Sequence, residues 1–275
     1  AHDVADHLRE LGLPELDDED VVTSAQAVAR MMIADLPPGS PVLVIGGVGL
    51  RAPLEDGGLR CVDSLDDAPV AVVQGYHPDL GWHHLAEASY AVASGLPWYA
   101  SNTDLTIPTS RGVAPGNGAL VQAVASATGR TPVVAGKPEQ PLFDATRDRL
   151  GGHRPLMVGD RLDTDIDGAI GAGIESLAVL TGVSLLADVF AAEPGHRPDF
   201  ISADLRGLQD EHPEVRLDGA RATCGSATAT LDDDVIEIGG AAAHDTVALR
   251  AAVQLAWATR DGSGVTVTPG GTLDA

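Results

Sequence analysis

Lysine, aromatic residues and cysteine are scarce in this sequence, and each scarcity excludes something. Of the 17 basic side chains one is a lysine, Lys137; against 40 acidic ones they leave a formal net charge of −23. A surface of that sign repels nucleic acid and anionic membranes, and no basic stripe offsets it. Solubility is its simplest use. Aromatics make up 3% of the 275 residues while 44% are hydrophobic, so a core must rest on Ala, Val, Leu and Ile. Two cysteines, Cys61 and Cys224, make no disulfide framework, which suits a reducing, cytoplasmic setting. No apolar run approaches the roughly 18 residues of a membrane span, and the opening residues lack the apolar stretch of a secretory signal. The sequence starts at Ala1 and enters an amphipathic helix at once, with Val4, Leu8 and Leu11 on one face. Natural starts seldom open mid-pattern, so the expectation is that N-terminal sequence is missing.

What is present is an alternation. Short apolar runs at 41–47 (PVLVIGG), 68–75, 96–102, 131–136, 154–160, 174–182 and 197–202 read as strands. Helical patterns at 3–12, 82–95, 117–129, 139–150, 163–172 and 184–192 are interspersed with them. Thr23 and Gln26 make a capping box ahead of a further helix that Pro37-Pro38 stops. Near-continuous apolar strands alternating with helices predict an α/β fold with a doubly wound parallel sheet. Reactive residues then collect at the carboxyl ends of strands. After about residue 205 the pattern changes to short strands around an acidic turn, one amphipathic helix over 244–260 and a closing GVTVTPGG. Residues 206–275 therefore read as a small α+β appendage, with 205–214 as linker.

Two strand ends carry candidate chemistry. Lys137 follows PVVAG and stands between Gly136 and Pro138. Arginine serves every other basic position; a lysine is a compact point charge on a slim stem, suited to reaching oxygens deep in a site. Asp160 ends PLMVGD and opens GDRLDTDIDGAIGAG, where Asp165 lies about one helical turn further on. Carboxylates crowded in this way repel one another unless a hard cation such as Mg²⁺ neutralises them. The bland readings are a stray surface lysine and a solvated, helix-capping acidic loop. Other motifs fail on spacing. DTDIDG starts a calcium-loop pattern but has Ile174 where a bidentate Glu is needed. VIGGVG is not G-x-G-x-x-G, Gly136-Lys137 lacks the rest of a P-loop, and no G-x-S-x-G or H-E-x-x-H occurs.

A Gly-Lys-Pro after one strand and a Gly-Asp-x-x-x-Thr-Asp-Ile after the next resemble the haloacid dehalogenase superfamily. VTSAQAVARMM, SNTDLTIPT, GNGALVQAVASATGRTPVVAGKPEQPLF and VGDRLDTDIDGAIGAGIESLAVLTGV narrow the resemblance to its NagD-like and 4-nitrophenylphosphatase-like enzymes, which carry an α/β cap between the second and third motifs. The tail is similar to extensions in actinobacterial members, glycerol-phosphate phosphatases among them. The resemblance implies a core of residues 1–37 and 134–205, a cap of 38–133 and an extension of 206–275. It implies a cytoplasmic Mg²⁺-dependent phosphatase of small organic phosphate monoesters (phosphoglycerol, phosphoglycolate or aryl phosphates), working through an aspartyl-phosphate, possible pairing of two copies through the cap, and no nucleic-acid or membrane partner. Lys137 would hold the nucleophile and the phosphoryl oxygens, Asp160 the metal, and Asp165 the metal's waters and the lysine. Asn102 and Asp104 would fall in the loop that closes over the substrate.

One departure from the family pattern is large. Its first motif, an apolar strand ending in D-x-D-G that supplies the nucleophile, and its second, a T-N-N-like phosphate loop, have no counterpart; both belong before residue 1. The D-x-D-G of Asp165 to Gly168 lies inside a helical stretch, and LDDDVIE reads as a hairpin turn. The expectation is a sheet lacking its first strand and a chain inactive as it stands, with a non-catalytic metal- or phosphate-binding relic, or an interaction protein, as the alternative.

Overall fold

The structure is a computed structural model and describes residues 2–271. It divides into two compact units, one within residues 1–151 and one within 152–275. In the first, α1 (His2–Glu10) and α2 (Ser24–Asp35) precede β1 (Pro41–Ile45), α3 (Val48–Asp56), β2 (Arg60–Val62), β3 (Ala71–Gln74), α4 (Trp82–Ala93) and β4 (Trp98–Ala100). The hairpin β5 (Thr106–Thr109) and β6 (Gly112–Pro115), then α5 (Asn117–Thr128), β7 (Val133–Val134) and α6 (Gln140–Leu150), complete it.

Five strands form a wholly parallel sheet in the order β2-β1-β3-β4-β7. The expected parallel α/β sheet is present. Its strands read as unbroken apolar runs because both faces are covered. Val42, Val44, Ala71 and Val73 pack with Leu50 and Leu54 of α3 and with Val28 and Met32 of α2. The alternate residues Leu43, Ile45 and Val72 face the opposite way and pack with Ala88 and Val92 of α4 and Val121 and Val124 of α5. α2 starts where the sequence signals it: the Thr23 hydroxyl accepts from the Gln26 amide and the Gln26 carboxamide oxygen accepts from the Thr23 amide.

α1 departs from expectation. Val4 and Leu11, which share the apolar face of the expected helix, are 47% and 69% exposed, Leu11 lies just past the helix end, and Ala5 is buried. α3 and β2 had not been anticipated. Gly47, Gly49 and Pro53 weaken the local helix signal, and α3 is held by burial of Leu50 and Leu54 rather than by propensity.

The second unit begins with β8 (Leu156–Gly159), a π-turn over Leu162–Ile166, α7 (Asp167–Ala172), β9 (Glu175–Val179), α8 (Leu186–Phe190) and β10 (Phe200–Ser202). These three strands make a parallel sheet in the order β10-β9-β8. β11 (Arg216–Asp218), β12 (Arg221–Cys224), β13 (Ala227–Asp232), β14 (Val235–Gly239), α9 (Thr246–Ser263) and β15 (Thr268–Pro269) follow. β11 to β14 are antiparallel neighbours and β15 joins β14 in parallel. The α+β character expected of the tail is present. Its core is continuous with the preceding residues: Val189, Phe190 and Ile201 pack in one cluster with Ala229, Ile236, Leu249 and Leu255. The buried Trp257 indole N–H donates to the Val189 carbonyl at 2.7 Å.

Candidate functional site

Every strand of the first sheet runs the same way, so the loops after β1, β3, β4 and β7 leave from one edge. Two of the predicted site segments meet there. β4 feeds Ser101, Asn102, Thr103 and Asp104; β7 feeds Ala135, Gly136 and Lys137. The Ala135 amide donates to the Ala100 carbonyl at 3.1 Å. A Cβ on Gly136 would lie 2.5 Å from the Ser101 carbonyl oxygen, 3.0 Å from the Asn102 Cβ and 3.0 Å from the Ser24 Oγ. The glycine before the lysine is thus required by the approach of two neighbouring segments, the 101–104 loop and the start of α2. Lys137 is half-buried. Beyond it, the Glu139 amide turns back to the Gly136 carbonyl at 3.0 Å and α6 begins.

Asn102 and Asp104 are linked directly, the Asn102 Nδ2 donating to the Asp104 Oδ2 at 3.0 Å. The start of α5 reaches the same loop. The Asn117 Nδ2 donates to the Asn102 carbonyl at 2.7 Å. The Gly118 amide donates to the Asp104 carbonyl and the Gly116 amide to the Leu105 carbonyl, each at 2.8 Å. Gly116, Asn117 and Gly118 had not been singled out from sequence; the two glycines flanking a polar residue at a helix start were the available signal. Beside β4's end, Gln74 closes β3 fully buried, and both of its amide atoms lack a hydrogen-bond partner.

In the second unit, Asp160 and Asp165 come together at the end of β8. Asp165 is 3% exposed, and its Oδ2 accepts from the amides of Asp160 at 3.2 Å and Arg161 at 3.1 Å. It therefore holds the turn that presents Asp160. A Cβ on Gly159 would overlap the Asp165 carboxyl group, which explains the glycine there. From the loop after β9, the Val183 amide donates to the Asp160 Oδ2 at 2.8 Å and the Ser184 amide to the Asp160 carbonyl at 2.9 Å. One oxygen of the Asp160 carboxylate is thereby fixed and the group is aimed. Gly182 sits where a side chain would strike that carboxylate; Gly182, Val183 and Ser184 are further residues that the sequence did not flag.

The acidic loop is not a bare charge cluster. Arg161 forms a two-pronged pair with Asp163 at 3.0 and 2.7 Å and holds its carboxyl below the usual carboxylate range. Asp167 meets the His196 Nδ1 at 2.7 Å. Asp165 and Ile166 lie in the π-turn that runs into α7, so the Asp-x-Asp-Gly of 165–168 is helical, as expected, and not a strand end.

Two family models match the chain, a haloacid dehalogenase-like hydrolase model over residues 1–60 and a HAD-hydrolase-like model over 134–208. The D-glycerol 3-phosphate phosphatase of Mycobacterium tuberculosis is 48% identical over 211 residues, a stretch that spans 77% of this chain and 60% of that protein. An acid sugar phosphatase of Staphylococcus epidermidis is 38% identical over 69% of this chain and 73% of its own length. A crystal structure of the M. tuberculosis glycerol phosphate phosphatase in complex with magnesium superposes with a TM-score of 0.82 at 38% identity, covering 97% of this chain and 79% of that one. The p-nitrophenyl phosphatase of Archaeoglobus fulgidus gives 0.68 at 29% identity, over 75% of this chain and 80% of that one.

Proposed function

The chain belongs to the haloacid dehalogenase-like hydrolases, and on that premise we propose that it acts as a Mg²⁺-dependent phosphatase of small organic phosphate monoesters, phosphoglycerol, phosphoglycolate and aryl phosphates among them. The observation that carries the reading is the β8 turn, where a buried Asp165 takes two backbone amides and so presents Asp160 with one carboxylate oxygen fixed. The similarity to glycerol phosphate and nitrophenyl phosphatases supports the substrate class.

The residues fit magnesium. No group of three or more metal-ligating side chains occurs among the described residues, so an all-protein cage is not on offer. Mg²⁺ is usually held by one or two carboxylates, with waters and phosphate oxygens completing its shell, and Asp160 supplies such a carboxylate. Bound there, the ion would neutralise phosphoryl charge. Asp165 orients Asp160 through the backbone. Lys137 contributes a point charge to phosphoryl oxygens, and Asn102 and Asp104 contact the leaving group. The reaction is a double displacement. An aspartate carboxylate attacks phosphorus, the ester P–O bond breaks and the alkoxide leaves with a proton from an acid. Water then attacks the phosphoenzyme, releasing phosphate and restoring the carboxylate. The sequence's only Asp-x-Asp-Gly is the helical one at 165–168, whose first carboxylate is already committed, so we assign the nucleophile to a motif outside these residues. The division into a core of 1–37 and 134–205, a cap of 38–133 and an extension of 206–275 belongs to the same proposal. So does pairing of two copies through the cap, which the exposed Val48 and Trp82 support, and a cytoplasmic site of action, which the two free thiols support.

The test is turnover of p-nitrophenyl phosphate with and without Mg²⁺. The 275-residue chain alone is expected to show none; expressed from its whole reading frame, the protein is expected to hydrolyse the ester and Lys137→Arg to abolish it. Turnover by the 275 residues alone would overturn the nucleophile assignment, and an active Lys137→Arg the role of the lysine. Absence of turnover in both forms would favour a non-catalytic relic.

A further inference from the structure

We propose that Asn117 is a positioning residue that sets how tightly the leaving group of a phosphate ester is held, by clamping the 101–105 loop; the inference rests on the phosphatase reading above. Three successive residues at the start of α5 each take one carbonyl of that loop: Gly116 that of Leu105, Asn117 that of Asn102 and Gly118 that of Asp104, over 2.7–2.8 Å. A Cβ at Gly116 would run into the Asp104 carbonyl and one at Gly118 into the Thr103 carbonyl. The loop therefore lies directly on the helix backbone at both glycines, with the Asn117 side chain reaching it between them.

Asn117 does not cap its own helix. Gly116 is the N-cap, and the Asn117 side chain, 1% exposed, spends its donor on a residue 15 positions earlier. On its other side the loop backs onto Gly136, the residue before Lys137. The bond between Asn102 and Asp104 couples their side chains, so a shift of the Asn102 backbone moves both. Removing the Asn117 donor leaves the Asn102 carbonyl without this partner, which is costly while it stays dry, so the loop relaxes instead.

The experiment uses the catalytically competent protein, with glycerol 3-phosphate as substrate and inorganic phosphate as a competitive inhibitor that has no leaving group. Asn117→Ala is expected to raise KM about tenfold with kcat and the phosphate inhibition constant nearly unmoved. Asn117→Asp, which keeps the shape but turns an acceptor toward the Asn102 carbonyl, does at least as much. A parallel rise in KM and phosphate inhibition constant, or no change in either, would overturn the proposal. Amide exchange in the unmodified chain reads the clamp without a variant. The Gly116 and Gly118 amides should be protected about a hundredfold or more over open chain, and unprotected amides would sink it. If the form expected to be catalytically competent hydrolyses no phosphate ester, the phosphatase reading falls while exchange in the 275-residue chain still judges the clamp.

Discussion

Each unit carries a five-stranded sheet, and the two are built on opposite logic. The sheet of residues 41–134 is parallel throughout and covered by helices on both faces, so every residue of β3 is buried. The sheet of residues 216–269 is mostly antiparallel and covered on one face by α9, so β13 alternates: Ala227 and Ala229 are buried and Thr230 is exposed. The difference matters for chemistry. Parallel strands send all their carboxyl ends to one edge, where the loops bearing Asn102 and Lys137 meet. Hairpins send alternate loops to opposite edges.

The largest effect should come from a charge placed in each sheet. Val72→Lys and Val73→Lys point to opposite faces of β3 and should each cost more than about 4 kcal/mol, because neither face offers water. Thr230→Lys on β13, between Arg221 and Glu237 on the neighbouring strands, should stay within about 0.5 kcal/mol, whereas Ala229→Lys should not. Urea unfolding midpoints decide; a tolerated Val72→Lys would show that only one face of the first sheet is covered. A smaller effect, of opposite sign, is expected at Gln74, the amide that interrupts this apolar sheet with both polar atoms unpaired. Gln74→Met should stabilise by up to about 1 kcal/mol, and a clear loss of stability would reveal a partner for the amide.

The smallest effect is with pH. The Tyr99 phenol, on β4, is pushed up to about 12 by burial and then by its hydrogen bond to Asp35. A group whose folded value is raised stabilises the fold fully below its unfolded value near 10 and loses that contribution as the pH climbs through about 12. Denaturation at stepped pH should show a gentle decline over that window, and Tyr99→Phe should remove it.

The candidate site was legible in part. Lys137, Asp160 and Asp165 could be found because each stands at or just past the end of an apolar run, and a strand end is a local pattern. The partners that aim them could not. Val183 reaches Asp160 from 23 residues away, and Asn117 reaches Asn102 from 15. α3 escaped because tertiary burial of Leu50 and Leu54 overrides a weak local signal. The amphipathic stripe of α1 was read correctly as a pattern, yet Val4 and Leu11 stay exposed, because periodicity names an apolar face and not what covers it.

By itself, the sequence determined most of the order of strands and helices, α3 and β2 excepted, together with the parallel class of the first sheet, the capping box at Thr23 and the charged residues that follow two strands. These depend on contacts within a turn or a strand, where spacing alone decides which face a side chain takes. Tertiary structure alone decided that Gly136 must be small for the Ser101 carbonyl to approach, that Asp165 spends its charge on two amides, and that Asn117 grips a loop it does not adjoin. Each joins segments distant along the chain, whose meeting is set by strand register and packing, and no local pattern encodes it.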